Sequence, residues 1–259
     1  MARLHVAILK PAYVKAILRG EKTVESRMTT TRQPPFGQIA AGERLFLKAS
    51  GGPFMATAIA GDVEQHEGLD REATRLLYRR YHASVGGDAA YWQSKADSRF
   101  AVFVTLRDVE PMDVGPAYRV ANMRAWYALD ESESPVVDLM LTKGAIRNRW
   151  VAIPRRYRRF PEGPATVLMP DGVVLESQIN PRRHLGGRGW RRYHEAYAVR
   201  PGDAVRVVAV GERRYRVSFV KRATPSCTRR PSPTSWSTPS SATSPSERSS
   251  KTSAPTGST

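Results

Sequence analysis

The sequence predicts an α+β fold that is mainly β: a small barrel carrying short helices, then a second all-β module, then a disordered tail. Three observations lead there. Short β-rich runs recur between glycine, proline and aspartate turns. Helical periodicity is confined to two stretches before residue 90. Strands do not alternate with long helices, as a parallel sheet would require.

LHVAIL (4–9) is an apolar strand, and Pro11 then opens a helix in PAYVKAILRG. There Tyr13, Val14, Ile17 and Leu18 share a face, and Gly20 stands where a C-cap belongs. Strands follow at ERLFLKAS (43–50) and FMATAIAGDVEQH (54–66). A second helix starts at Asp70, places Ala73, Leu76, Leu77 and Tyr81 on one side and stops at Gly86-Gly87. FAVFVTLRDV (100–109) alternates as a strand does, and RAWYAL (124–129) closes the module. DESESP has no apolar periodicity and ends in proline, which marks a linker over 130–140. Beyond it, WVAIP, ATVLM, GVVLESQI, AVRVVAV and RYRVSFV are five β-rich runs, with a hairpin through Asp171-Gly172. The expected division is a first module at 1–129, the linker, a second module at 141–222 and a tail at 223–259. That tail holds 12 Ser, 8 Thr and 6 Pro among 37 residues, with Trp236 as its single aromatic. Such a composition buries too little apolar surface to offset the entropy of ordering it, so disorder is expected. Its abrupt onset fits a natural tail and a shifted reading frame equally.

Lys and Arg number 41 against 24 Asp and Glu, a formal net charge of +17, so the first partner to consider is a polyanion, DNA or RNA. A generally basic surface is the plain alternative. The excess is +10 over residues 120–222 and +4 over 1–119, which puts most of the attraction in the second module. The apolar run in MARLHVAILKP ends at Lys10, too short for a signal-peptide core or a membrane span, and a reducing cytoplasm is the expected compartment. A single cysteine, Cys227, can form neither an internal disulfide nor a Cys-based zinc site. The five histidines (His5, His66, His82, His184 and His194) lack metal-ligand spacing, so neither a metal nor another cofactor is expected. Oligomeric state is left open.

Two stretches carry candidate chemistry. In GEKTVESR (20–27) a strand starting near Thr23 puts Glu25 and Arg27 on one face, and Lys22 in the preceding turn can swing toward the same end. A charged edge strand after a helix cap is the bland alternative. The spacing G-x-K-x-x-E-x-R resembles the signature of the ASCH family, small barrels of the PUA-like superfamily, and the likeness extends over about residues 3–129. The resemblance implies a cleft for RNA or for a nucleobase, plain or modified. Lys22 and Arg27 would hold phosphate or a base acceptor, and Glu25 would accept from an exocyclic amine. Some relatives are ribonucleases, and one branch hydrolyses the amide of acetylated cytidine with the motif lysine as base and a threonine nucleophile. Here Glu25 occupies that threonine's place, and a carboxylate cannot repeat the hydroxyl attack. A binding protein is therefore preferred to an enzyme, with Lys22 and Glu25 the residues to test if catalysis exists.

In the second module, Asn148, Arg149, Ile153 and Pro154 form N-R-x-x-x-I-P. Gly189 and Trp190 then precede Tyr193, and Gly202-Asp203 turns into a strand. Taken together these features are similar to the B-three DNA-binding pseudobarrel, over about residues 136–222. The resemblance implies an open all-β pseudobarrel that grips the major groove with two arms. Lys143, Arg147, Asn148 and Arg149 would belong to the first arm, and Asn180, Arg182, Arg183, His184 and Arg188 to the second. Arg can bind guanine bidentately and Asn adenine, while the remaining cations position the duplex. Trp190, Tyr193 and Tyr197 are expected in the core.

Overall fold

The computed structural model describes residues 3–118 and 124–221; the expected tail, with Cys227 and Trp236, lies outside them. The fold is mainly β, with a few short helices and two barrel-like sheets. The first sheet draws on β1 (Arg3–Leu9), β2 (Val24–Thr29), β3 (Arg44–Ala49), β4 (Phe54–Glu67), β5 (Phe100–Pro111) and β6 (Trp126–Asp130). Their order is β2-β5-β4-β3-β1-β6, and only β1 and β3 pair in parallel. Register shifts at Thr57/Ile59 and Ala60/Val63 bend the long β4–β5 ribbon, which curls the sheet around its core.

Three helices position the open side of this sheet: α1 (Pro11–Leu18), α2 (Arg71–Val85) and α3 (Ala89–Gln93). Pro11 fixes the first helical φ of α1, and Val14 and Ile17 are its buried residues. Asp70 caps α2 by accepting from the Ala73 amide, and Gly86 ends it in the left-handed region. The stripe that α2 buries is Thr74, Leu77, Tyr81 and Val85, packed on Val24, Met28 and Phe103. Leu76, expected on that side, is instead 57% exposed, because it stands one position off the 74–77–81–85 row.

The second sheet contains β7 (Val136–Met140), β8 (Trp150–Ala152), β9 (Gly163–Leu168), β10 (Val174–Ile179), β11 (His184–Gly186), β12 (Ala204–Gly211) and β13 (Arg214–Val220). Their order is β7-β12-β13-β9-β10-β11-β8. Its core includes Val207, Phe160, Tyr215 and Trp190, the last on the short helix α5 (Trp190–Ala196). Trp190 and Tyr193 are buried as expected; Tyr197 is 37% exposed, stacked on Phe219 at the end of α5. The stretch 130–140, expected as a linker, contributes the edge strand β7. Val137 and Leu139 point into this core while Asp138 faces the other way, and that single alternation is too short to stand out in the sequence.

The two sheets pack on each other. Leu4, Val6 and Phe46 of the first sheet form one apolar cluster with Val136 and Val208 of the second. Ala7 and Leu9, on the other face of β1, belong to the barrel core, so LHVAIL is apolar throughout because both its faces are covered. Asp138 takes Arg44 from one sheet and Arg206 from the other, each at 2.7 Å, and Arg216 reaches Asp113 at 2.7 Å.

His5 is a buried polar joint in the barrel. Trp126 Nε1 donates to His5 Nδ1 at 3.1 Å, so the ring proton resides on Nε2, which donates to Glu43 at 2.9 Å. Burial holds the His5 pKa below 6.5 despite Glu43. Glu43 is pulled below 4.5: burial opposes this, but the His5 ring and the Ala40 and Arg3 amides outweigh it. Both groups bind protons more weakly folded than unfolded, so their stabilisation is present above those ordinary values and is lost as pH falls through the folded ones. Thermal unfolding between pH 7.5 and 5 should therefore show a falling midpoint, and His5→Gln should flatten the upper part of that fall. An unchanged profile in the variant would remove His5 from the account.

Candidate functional site

GEKTVESR folds as α1 and its neighbours dictate. Gly20 takes φ +74°, releasing the chain from α1, and the amides of Glu21 and Lys22 close on the Ala16 carbonyl. Thr23 donates its amide to Ser84 at the end of α2, which fixes where β2 starts. From there alternation decides the faces: Val24 and Met28 enter the core against α2, while Glu25 and Arg27 turn to a cleft of 680 Å³.

Lys22, Glu25 and Arg27, the three residues expected to act together, do converge. Glu25 is 4% exposed, with Oε2 3.2 Å from Lys22 Nζ and Oε1 3.1 Å from Arg27 Nε. Lys22 is 3% exposed and also donates to the carbonyls of Val24 at 2.7 Å and Val85 at 2.9 Å. Three acceptors surround its three protons, so Lys22 holds Glu25 in place and has no donor left for a ligand. Arg27 donates Nη2 to the Ile8 carbonyl at 3.0 Å and lies over the Trp126 ring at 5.4 Å, leaving Nη1 free toward the cleft. The cleft floor thus offers carboxylate lone pairs beside a guanidinium with unused donors.

The walls come from elsewhere in the chain. Tyr91 on α3 lies 2.9 Å from the Ser26 hydroxyl, Tyr13 faces in from α1, and Lys10, Lys48, Lys95 and Arg124 supply cations. Burial pushes both phenols upward, with Asp88 and Glu25 adding to it at Tyr13, so both remain neutral donors near pH 7. Sequence reasoning misses these six residues. Periodicity places Tyr13 on a core face, and the others lie in segments with no common local pattern.

In the second sheet the two expected arms meet, because β8 pairs with β11 in the register Trp150↔Gly186 and His184↔Ala152. Lys143, Arg147 and Asn148 lie on α4 (Lys143–Asn148), whose left-handed C-cap is Arg149, and all four are exposed. The Gly187 amide bonds to the Arg149 carbonyl, bringing the exposed Arg188 close to the first arm. Gly186 has no alternative here: a Cβ would fall 2.2 Å from the Arg149 carbonyl oxygen. His184 stacks on Trp150 with 3.6 Å between ring centroids. Arg182 is exposed, and Arg155, which the sequence pattern does not single out, lies beside it with Nη2 3.3 Å from the Pro181 carbonyl.

Two expected contacts are placed otherwise. Asn180 Oδ1 accepts from the Arg182 and His184 amides at 3.0 and 2.9 Å, so its carbonyl shapes the turn and is not presented to a base edge. Arg183 is 9% exposed and fans its guanidinium over the carbonyls of Ile153, Tyr157 and Phe160 at 3.4, 3.2 and 2.5 Å. Its positive φ of 65° turns it inward, where it ties β11 to the 154–160 loop.

Among the described residues no cluster of His, Cys, Asp or Glu could hold a metal ion, and no helix is long and apolar enough to cross a membrane. No family model and no curated protein matches the chain. Among solved structures it is similar to the crystal structure of ASCH from Zymomonas mobilis, at 21% identity over 50% of this chain and 90% of that one, with a TM-score of 0.39. A variant of the same protein matches at 24% identity over 42% of this chain and 71% of that one, with a TM-score of 0.35. The N-terminal domain of LlaJI.R1 from Helicobacter pylori is also similar, at 11% identity over 35% of this chain and 90% of that one, with a TM-score of 0.28.

Proposed function

We propose that this chain is a nucleic-acid-binding protein with two reading surfaces. An ASCH-type cleft in residues 1–129 takes RNA or a nucleobase, plain or modified, and a B-three-like module in residues 141–222 reads double-stranded DNA. The observation that carries the first half is the cleft floor: an acceptor, Glu25, beside a donor with free protons, Arg27, under a rim of cations. A base with an exocyclic amine next to a ring acceptor satisfies both groups at once. Lys22, its donors consumed, supports this pair by orienting Glu25. The convergence of Arg147, Arg149, Arg182 and Arg188 about the β8–β11 pair supports the second half.

Gel shifts with the full chain, using duplex DNA, single-stranded DNA and RNA, plain and base-modified, separate the two halves. Arg27→Gln should weaken single-strand binding and spare the duplex. Arg149→Ala with Arg188→Ala should do the reverse and lower the slope of log affinity against log salt by about one for each phosphate left without its cation. Duplex binding that ignores salt and both substitutions would remove the DNA-reading half; single-strand binding unchanged in Arg27→Gln would remove the cleft.

A further inference from the structure

The cleft does not end at its first cavity. A second cavity of 400 Å³ shares Arg27, Thr29, Arg124 and Ala125 with it and runs on past Trp126 to Arg32 and Gln33. The two cavities therefore meet at a waist flanked by two guanidinium groups. Arg27 has turned Nε to Glu25 and Nη2 to Ile8, so Nη1 remains. Arg124 is exposed and, among the described residues, has neither an ion pair nor a hydrogen bond. At the far end the Arg32 guanidinium lies 4.9 Å from the Phe36 ring and is oriented by Glu67 at 2.7 Å. Arg32 lines this cavity, and a guanidinium can serve as a stacking surface for a base.

Resting on the reading that a base sits over Glu25 and Arg27, we propose that the groove takes two successive nucleotides of one strand. The bridging phosphodiester lies at the waist between Arg27 and Arg124, and the second base lies against Arg32. The substrate class is then a single-stranded polynucleotide and not a free base or nucleoside. A nucleoside would leave the waist cations and the whole second cavity unused. A duplex would keep its base edges paired and away from Glu25. A strand matches each feature in order: a carboxylate for a base amine, two cations for one phosphodiester charge, then a stacking plane.

Titration calorimetry of the full chain at low salt tests this, with the four ribonucleosides and the matching dinucleoside monophosphates ApA, CpC, GpG and UpU as probes. The best dinucleoside monophosphate should bind about tenfold tighter than its own nucleoside. Arg32→Gln should abolish that advantage while leaving the nucleoside within about twofold, since Arg32 lines only the second cavity. Arg124→Gln, at the waist, should cost the dinucleoside more than the nucleoside. Equal affinity for nucleoside and dinucleoside, or equal loss of both in Arg124→Gln, would overturn the two-nucleotide groove and leave the base cleft standing. Failure of every probe to bind would overturn the base cleft itself, and the groove with it.

Discussion

Arg183→Ala should destabilise the second sheet by about 3–5 kcal/mol without any nucleic acid present, because three buried carbonyls lose their donor at once. Ile153, Tyr157 and Phe160 present those carbonyls from a loop with little regular structure, and the Arg183 side chain is the donor they share. The backbone around it is committed too: the Arg183 amide donates to Asn180 at 2.7 Å, and its carbonyl accepts from Ile153 at 2.8 Å. Arg183→Lys should recover only part of the loss, since a compact ammonium cannot fan across three separated acceptors as a planar fork does. Urea unfolding followed by tryptophan fluorescence measures this, with Trp150 and Trp190 as reporters in the second sheet. Arg182→Ala, one residue away and exposed, is the control: stability within about 0.5 kcal/mol of the parent, with weaker duplex binding. If Arg183→Ala kept native stability and lost only duplex affinity, Arg183 would return to the proposed DNA-contacting face.

That pair of neighbours shows what a sequence can and cannot disclose. Arg182 and Arg183 are chemically identical and adjacent, and only the backbone turn set by Asn180 and a positive φ sends one outward and the other into the core. No periodicity encodes such a turn, so both read as surface charge. GEKTVESR is readable because its determinants are local: a cap glycine, a turn and strand alternation within eight residues bring Lys22, Glu25 and Arg27 together. The rest of that cleft is hidden for the opposite reason. Tyr91, Lys48 and Arg124 sit on segments that become neighbours only once β1 has paired with β3 and β6 and α2 has packed on β2. The fold class follows from turn spacing and strand patterning, whereas β7 and the three-residue β11 are too short for alternation to declare itself.

Glu25→Ala is the second large effect expected, and it separates support of the fold from ligand recognition. The substitution leaves Lys22 buried with two carbonyl partners and no counter-charge, and it removes the carboxylate paired with Arg27, whose buried Nε already lacks a hydrogen-bond partner. An uncompensated buried cation costs about 3–5 kcal/mol, so the first sheet should open at markedly lower urea. Glu25→Gln keeps the shape and one carbonyl oxygen but loses the charge. Its stability cost should be smaller, on the order of 1–2 kcal/mol, because the glutamine oxygen can still accept from Lys22 Nζ where alanine leaves that proton without an acceptor. For recognition the ranking reverses in meaning. The glutamine presents an amide donor where a base amine needs an acceptor, so this folded variant should lose about tenfold or more in single-strand affinity. Calorimetric titration beside urea unfolding gives both numbers from one preparation. Full affinity in Glu25→Gln would show that the carboxylate serves the fold alone, and Arg27 with the rim cations would then carry the binding. A loss of affinity without a matching loss of stability would assign the carboxylate to the ligand, with Lys22 as the residue that holds it ready.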